Sequence, residues 1–152
     1  MEDLKEMLAD KIGKDYWDWD YSERISYEML VKSMGYDIDS QETFGSYQGD
    51  IIFVVWDRPN ARHGILICGY GSCSGCDAIE GIISYGALDD EKIDQLTALR
   101  DSLAADIMWE EQRGGLMKRV EQAIENNSGY WLHESGEKDY VIAMAKKYDE
   151  TY

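Results

Sequence analysis

The N-terminal part of the chain carries hydrophobic positions at the spacing of two helices, each followed by a glycine. A helix is predicted over residues 4–12, and Gly13 ends it because glycine adopts the left-handed C-cap conformation without strain. A second helix is predicted over residues 22–34, with Gly35 as its stop. The polar stretch that follows, residues 37–46, predicts a connection without regular structure.

Two runs of β-branched and aromatic residues in the middle of the chain predict strands. They cover residues 51–56 and 65–68, and the segment between them, residues 57–64, contains the only proline. This arrangement is typical of an antiparallel β-hairpin. Residues 130–133 predict a short additional strand that joins the hairpin.

Helical periodicity returns in the second half of the chain. Helices are predicted over residues 77–85, 89–111, 116–124 and 140–148, and no repeat or linker interrupts them. We therefore predict one α+β domain spanning residues 1–152. Its expected architecture is a small antiparallel sheet built on the central hairpin and covered by about four to six helices.

The charge of the chain narrows the possible partners. The 152 residues include 31 Asp and Glu but only 15 Lys and Arg, which gives a formal net charge of −16. Such a surface repels phosphate backbones and anionic lipids and attracts basic proteins, so we expect neither direct nucleic-acid binding nor membrane binding. No signal-peptide pattern or apolar run of roughly 20 residues is present. The odd number of cysteines then predicts free thiols in the reducing cytoplasm.

The residues with the most distinctive chemistry lie in the segment 69–77, Gly-Tyr-Gly-Ser-Cys-Ser-Gly-Cys-Asp, called here the Cys-rich loop. Cys73 and Cys76 have the spacing of half a zinc site, because a gap of two residues lets both thiolates reach one metal. No second Cys-x-x-Cys pair completes the site, so zinc is possible but not favoured. The candidates for the remaining ligands are Cys68, His63, His133 and Asp77.

Three other interpretations of this loop stay open. The paired thiols are compatible with redox chemistry, although the adjacent negative charge of Asp77 disfavours a thiolate. The glycines and serines are compatible with an anion cradle built from backbone N–H groups, although the lysine of a P-loop is missing. The plainest interpretation is a set of buried, inert thiols.

Large aromatic residues alternate with carboxylates over residues 15–21, Asp-Tyr-Trp-Asp-Trp-Asp-Tyr. As a strand this segment would separate its aromatic and acidic side chains onto opposite faces, and as a loop it would offer a contact surface. Aromatic anchors contribute strongly to protein interfaces, and carboxylates attract basic partners. The candidate binding residues, from this segment and from the Cys-rich loop, are Asp15, Trp17, Asp18, Trp19, Asp20, Tyr70, Ser72, Ser74 and Asp77.

Residues 47–51 and 69–77 together resemble a family of small acidic proteins found in phages and bacterial genomes. Members of that family carry a Tyr-x-Gly-Asp strand, the Gly-Tyr-Gly-Ser-Cys-Ser-Gly-Cys-Asp loop and a helix that ends in an Ile-x-Trp segment. Residues 106–109, Asp-Ile-Met-Trp, match the last element, and the resemblance leaves the helical residues 1–45 outside. The resemblance implies a phage accessory protein acting in a bacterial cell, but it implies no particular activity.

Two functions of different classes follow. The charge, the lack of a complete catalytic motif and the resemblance favour a non-enzymatic inhibitor. It would imitate nucleic acid, as anti-CRISPR proteins can, and bind a basic, nucleic-acid-binding defence protein of the bacterial host. The alternative is a metal-binding or small-ligand-binding domain, with or without enzymatic activity, centred on the Cys-rich loop.

Overall fold

The computed structural model describes residues 1–45, 47–72, 75, 77–110, 115–126 and 135–149. It confirms the α+β fold: in the described part, four strands form an antiparallel sheet that is accompanied by helices. The chain divides into two compact units. The helical unit comprises Met1–Gly35 and Tyr70–Ala105, and the sheet unit comprises Tyr36–Gly69 and Asp106–Tyr152. No helix in the described part is long and apolar enough to cross a membrane.

The helical unit is built around its longest helix. Three short helices, α1 (Leu4–Met7), α2 (Tyr27–Ser33) and α3 (Ala78–Ile83), each contact α4 (Asp90–Ala105). Apolar side chains from all four helices form the interior, because burial removes their surface from water. The most deeply buried of these residues are Leu4, Leu30, Val31, Ile79, Ile83, Ile93 and Leu96.

The ends of these helices agree with the sequence prediction only in part. Gly35 follows α2 with a φ of +91°, which is the predicted left-handed stop. However, α2 begins after Ser26, whose Oγ accepts a hydrogen bond from Met29 N at 3.2 Å, and not near Ser22. The predicted helix over residues 89–111 is also too long, since α4 already ends at Ala105.

The sheet contains four strands in sequence order. They are β1 (Asp37–Gly45), β2 (Gly49–Asp57), β3 (Arg62–Tyr70) and β4 (Met108–Trp109). The predicted hairpin is present as β2 and β3. The prediction of a connection at residues 37–46 was wrong, because β1 pairs with β2 as an edge strand. Its side chains are mostly exposed, so it has no apolar alternation that would reveal it.

Two helices complete the sheet unit, and both were predicted. These helices, α5 (Gly115–Asn126) and α6 (Ser135–Asp149), pack against each other. The carboxylate of Asp149 accepts hydrogen bonds from Leu116 N at 3.2 Å and Met117 N at 2.7 Å. The predicted strand at residues 130–133 lies outside the described residues. The buried core cluster of this unit consists of Ile52, Val54, Ile65, Leu116, Val120, Val141, Ala145 and Tyr148.

Close contact between β3 and β4 requires a glycine at position 64. A Cβ atom on Gly64 would lie 2.5 Å from Ile107 Cγ2 and 2.7 Å from Trp109 Cε3. The Trp109 ring is held in place from another direction by Arg62, whose guanidinium lies 4.0 Å from the ring centroid. Arg62 Nε in turn donates to Asp57 Oδ2 at 2.9 Å. The indole therefore has little room to move away from an added methyl group.

We predict that Gly64→Ala lowers the free energy of unfolding by about 2–3 kcal/mol, because the methyl group displaces Ile107 and Trp109. Urea unfolding followed by circular dichroism measures the change. Gly136→Ala is the matched control, since a Cβ at that position meets no atom within 4 Å. Alanine in a helix is neutral or stabilising relative to glycine, by up to about 1 kcal/mol. Equal stability of Gly64→Ala and the wild type would contradict the prediction.

Candidate functional site

Asp77 holds the two ends of the Cys-rich loop together. Its Oδ2 accepts a hydrogen bond at 3.0 Å from the backbone N of Gly71, which lies near the N-terminal end of the loop. Its Oδ1 caps α3 by accepting from Ile79 N at 2.9 Å and Glu80 N at 3.2 Å. Tyr27 Oη also donates to Oδ1 at 3.1 Å, and burial, together with the charge of Asp77, raises the pKa of this phenol. The structure thus gives Asp77, a predicted binding residue, the role of a buried helix cap.

The structure describes one of the three cysteines, Cys68, which is buried in β3. Burial, with smaller contributions from the charges of Asp50 and Asp106, raises the pKa of its thiol to about 12. A thiol that stays protonated at neutral pH is a poor nucleophile and a poor metal ligand. This environment agrees with the interpretation of Cys68 as an inert core residue.

The remaining candidates of the Cys-rich loop are only partly described. Tyr70 is half-buried and Ser72 is exposed. Within the residues that the structure describes, no three His, Cys, Asp or Glu side chains lie together as a metal site requires. The zinc hypothesis stays a prediction, because its other proposed ligands are not described. The candidates outside the described residues are Cys73, Ser74, Cys76 and His133.

The aromatic and acidic segment after Gly13 forms short 3-10 turns, Tyr16–Asp18 and Tyr21–Glu23, and not a strand. Side chains three residues apart in a 3-10 turn point in the same direction. Tyr16 and Trp19 are accordingly both buried, with ring centroids 5.7 Å apart. Trp19, a predicted binding residue, therefore contributes to the interior of the helical unit.

Trp17 has the opposite environment. Its side chain is 63% exposed, although its ring packs edge-on against Tyr16 at a centroid distance of 5.0 Å. The neighbouring acids Asp15, Asp18 and Asp20 are also exposed. Four of the five candidates in this segment are thus at the surface, and only Trp19 is not.

The aromatic and acidic segment is hydrogen-bonded to a second segment of the helical unit, about seventy residues later in the chain. Backbone and side-chain bonds connect residues 13–17 with residues 84–88, just before α4 begins with a run of acids. The contacts are Gly13 N to Leu88 O at 2.8 Å, Leu88 N to Lys14 O at 3.0 Å, an antiparallel bridge between Asp15 and Ala87, and Trp17 Nε1 to Ser84 O at 3.3 Å.

The pairing brings the exposed acidic segment that contains Trp17 next to residues 84–88, which carry an exposed tyrosine and precede the acidic start of α4. Besides Trp17, Tyr85 is 69% exposed, and it directly follows the residue that accepts the Trp17 hydrogen bond. Sequence reasoning did not single out Tyr85, since nothing in its local pattern indicates this pairing. We call this region the acidic-aromatic surface and define it as Asp15, Trp17, Asp18, Asp20, Tyr85 and Asp89.

Three nearby cations have other contacts, and one of them, Arg24, lies over the rings of Tyr16 and Trp17. Lys92 Nζ donates to the carbonyl oxygens of Tyr85 and Ala87. Lys11 forms ion pairs with Asp10 and Glu23. In the described part of the chain, none of the four acids of the acidic-aromatic surface forms an ion pair with a cationic side chain. The helical unit as a whole has sixteen Asp and Glu but only seven Lys and Arg.

The structure also shows a buried polar cluster around His63, a residue that the sequence places in a loop. The imidazole lies between the rings of Trp56 and Tyr148, at centroid distances of 4.5 Å and 4.1 Å. Its Nε2 is 2.8 Å from Asp39 Oδ2, and its Nδ1 is 3.5 Å from Glu110 Oε1. Because carboxylates face both ring nitrogens, the cluster ties together parts of the sheet unit and leaves no nitrogen directed at a substrate.

Two features of the sheet place these carboxylates. The pairing of β1 with β2 shifts register between Ile38 and Ser40, so Asp39 occupies a bulge that redirects its side chain. Glu110 extends the pairing of β3 with β4 by one step, since its N donates to His63 O at 3.0 Å. Its Oε1 also accepts from His63 N at 2.5 Å. A bulge and a two-residue strand leave no recognisable sequence pattern, so this cluster was not predicted.

The segments that carry the family resemblance have defined places in the fold. Residues 47–51 form the turn before β2 and its first residues, and residues 69–77 link the end of β3 to α3. Residues 106–109 lead into β4 and do not end a helix. No protein-family model, curated protein or solved structure matches the chain, and the resemblance stays a prediction.

We predict that Asp77→Ala lowers the free energy of unfolding by about 2–4 kcal/mol. The substitution removes the cap of α3 and leaves the Tyr27 hydroxyl and three backbone N–H groups without their acceptor. Chemical unfolding measures the loss. Asp18→Ala is the control, because it removes an exposed acid and is expected to change stability by less than about 0.5 kcal/mol. A small effect of Asp77→Ala would show that the loop ends do not depend on this carboxylate.

We further predict that Cys68 resists alkylation in the folded protein at pH 8. Its raised pKa and its burial keep both the thiolate fraction and the access of the reagent low. Iodoacetamide labelling resolved by peptide mass spectrometry is expected to be at least about a hundredfold slower than for the same cysteine in urea-denatured protein. Comparable rates in the two states would refute the assignment of Cys68 as a buried thiol.

Proposed function

We propose that this protein is a non-enzymatic inhibitor that binds a basic, nucleic-acid-binding protein of a bacterial host. The observation that carries the proposal is the acidic-aromatic surface, where an exposed acidic segment is paired with residues 84–88 and so lies near the exposed Tyr85 and the acidic start of α4. Bringing like charges together is unfavourable for the isolated protein. Asp89 also has a structural role, because its Oδ1 accepts a hydrogen bond from Lys92 N at 2.8 Å. For the exposed acids at positions 15, 18 and 20, a basic partner would turn an unfavourable charge interaction into a favourable one.

Carboxylates can replace phosphates in a groove that is built for nucleic acid. Such a groove presents Lys and Arg side chains, and its affinity for phosphates rests largely on charge. The net charge of −16 extends the attraction over a distance of about 10 Å at 0.1 M salt and favours rapid encounter. Occupation of the groove would exclude the host protein's own nucleic acid. The predicted resemblance to phage proteins supports the proposal, because host defence proteins would be the expected targets of a phage inhibitor.

Affinity capture from a bacterial lysate, followed by mass spectrometry, tests the proposal when it is combined with a competition assay. We expect that a captured partner binds nucleic acid and that an excess of that nucleic acid displaces the inhibitor. Affinity is expected to fall steeply as the salt concentration rises from about 50 to 500 mM. Binding that resists both salt and nucleic acid would contradict the proposal.

A matched pair of charge variants locates the binding surface. The triple substitution Asp15→Asn, Asp18→Asn, Asp20→Asn is expected to weaken binding by about tenfold or more at low salt. The control removes three exposed acids from the sheet unit, with Glu121→Gln, Glu125→Gln and Asp139→Asn, so both variants have the same net charge. Equal effects of the two variants would indicate that only total charge matters and would exclude this surface as the binding site.

A further inference from the structure

We propose that Trp17 and Tyr85 form an anchor for an arginine side chain of the partner. The proposal rests on the proposed function and deepens it, because it names the chemical group that the acidic-aromatic surface recognises. The expected occupant is a guanidinium that stacks on an exposed ring while a neighbouring carboxylate accepts its N–H groups. Arginine offers this combination, whereas the ammonium of lysine is a compact charge without a planar face.

Two large aromatic side chains at the surface are the first support for the proposal. Trp17 and Tyr85 are 63% and 69% exposed, while the neighbouring rings of Tyr16 and Trp19 are buried. Exposed aromatic rings with a polar rim are typical of contact sites between proteins. Here exposed acids at positions 15, 18 and 20 flank Trp17 in the sequence, so the complementary group is a cation with affinity for aromatic faces.

The position of Trp17 is fixed before any partner arrives. Its Nε1 donates to Ser84 O at 3.3 Å, and its ring meets the edge of Tyr16 at 5.0 Å. A side chain that is already ordered loses little rotamer entropy on binding. The exposed part of the indole can therefore contribute its contact energy to the complex without first being immobilised.

The protein itself places a guanidinium near one of the two anchor rings, that of Trp17. The Cζ atom of Arg24 lies 4.7 Å from the centroid of Tyr16 and 5.4 Å from that of Trp17. A partner arginine would repeat this interaction on the exposed part of Trp17, with Asp15 and Asp18 beside it in the sequence. Charge-assisted bonds from a guanidinium to a carboxylate are stronger than neutral hydrogen bonds.

Charge also favours an arginine of a basic partner over two other possible occupants of the surface, a second copy of the chain and a nucleic acid. A second copy of the chain would bring together two molecules of charge −16, and a nucleic acid would add phosphates to the same acids. Arginine is abundant in proteins that bind nucleic acids, because its planar fork matches phosphate geometry. The partner class of the proposed function thus supplies the side chain that the anchor fits.

Labelled oligo-arginine and oligo-lysine peptides of equal length test the anchor by fluorescence anisotropy. At about 50 mM salt we expect the arginine peptide to bind the wild type about tenfold more tightly than the lysine peptide. Trp17→Ala is expected to weaken binding of the arginine peptide by about five- to tenfold, but that of the lysine peptide by less than about twofold. Tyr85→Ala, which removes a largely exposed side chain, is expected to act in the same direction.

Tyr47→Ala is the matched control, because Tyr47 is an exposed tyrosine of the sheet unit, outside the acidic-aromatic surface. It should leave both affinities unchanged. The anchor is overturned if the two peptides bind equally well, or if Trp17→Ala and Tyr85→Ala leave the ratio of their affinities unchanged.

The charge variant at Asp15, Asp18 and Asp20 distinguishes a failure of the arginine anchor from a failure of the proposed function. If this variant weakens binding of both peptides while the aromatic variants leave the ratio of the two affinities unchanged, the acidic surface is supported and the arginine anchor is refuted. If it weakens neither peptide, the acidic surface does not attract cations, and the proposed function fails whatever the aromatic variants show.

Discussion

The short pairing between residues 13–15 and 87–88 is the interaction on which the surface of the helical unit depends. Two backbone hydrogen bonds and one bridge join segments that lie about seventy residues apart in the chain. The first segment opens an acidic stretch, and the second contains no acid itself but leads into the acidic start of α4. Their pairing sets the indole of Trp17 beside the chain that carries Tyr85. The functional hypothesis is thus a consequence of tertiary structure.

Such a concentration of negative charge requires compensation elsewhere in the unit. Tyr16 and Trp19, which lie between the acids in the sequence, bury large apolar surfaces, and aromatic burial is among the largest stabilising contributions that a side chain can make. Lys92 stabilises the other segment by donating hydrogen bonds to the carbonyl oxygens of Tyr85 and Ala87. The helical unit therefore separates the residues that hold the surface together from the residues that give it its charge.

The sequence predicted the elements whose patterns are local and strong. Continuous β-branched runs identified β2 and β3, and the helical stripes near α5 and α6 were also recognised. The edge strand β1 was missed because both of its faces are largely polar, and the end of α4 was misplaced because residues 107–109 continue an apolar pattern that serves a strand instead.

The candidate site was predictable in composition but not in geometry. Asp15, Trp17, Asp18 and Asp20 were named from their residue types alone, and they do lie at the surface. Trp19 is buried because a 3-10 turn repeats every three residues and so directs Trp19 to the same side as Tyr16. The alternation of aromatic and acidic residues in the sequence has a period of two and does not indicate this. The pairing with Tyr85 and the cluster around His63 depend on contacts between distant segments, and no local pattern indicates them.

The single carboxylate of Asp77 couples the two ends of the Cys-rich loop to each other. Gly71 and the first turn of α3 are both bonded to this side chain, so neither can move away without breaking a bond to it. Tyr27 of α2 donates to the same carboxylate, which extends the coupling to a third segment of the helical unit. A change of charge at this one position would therefore act on the loop, α3 and α2 together.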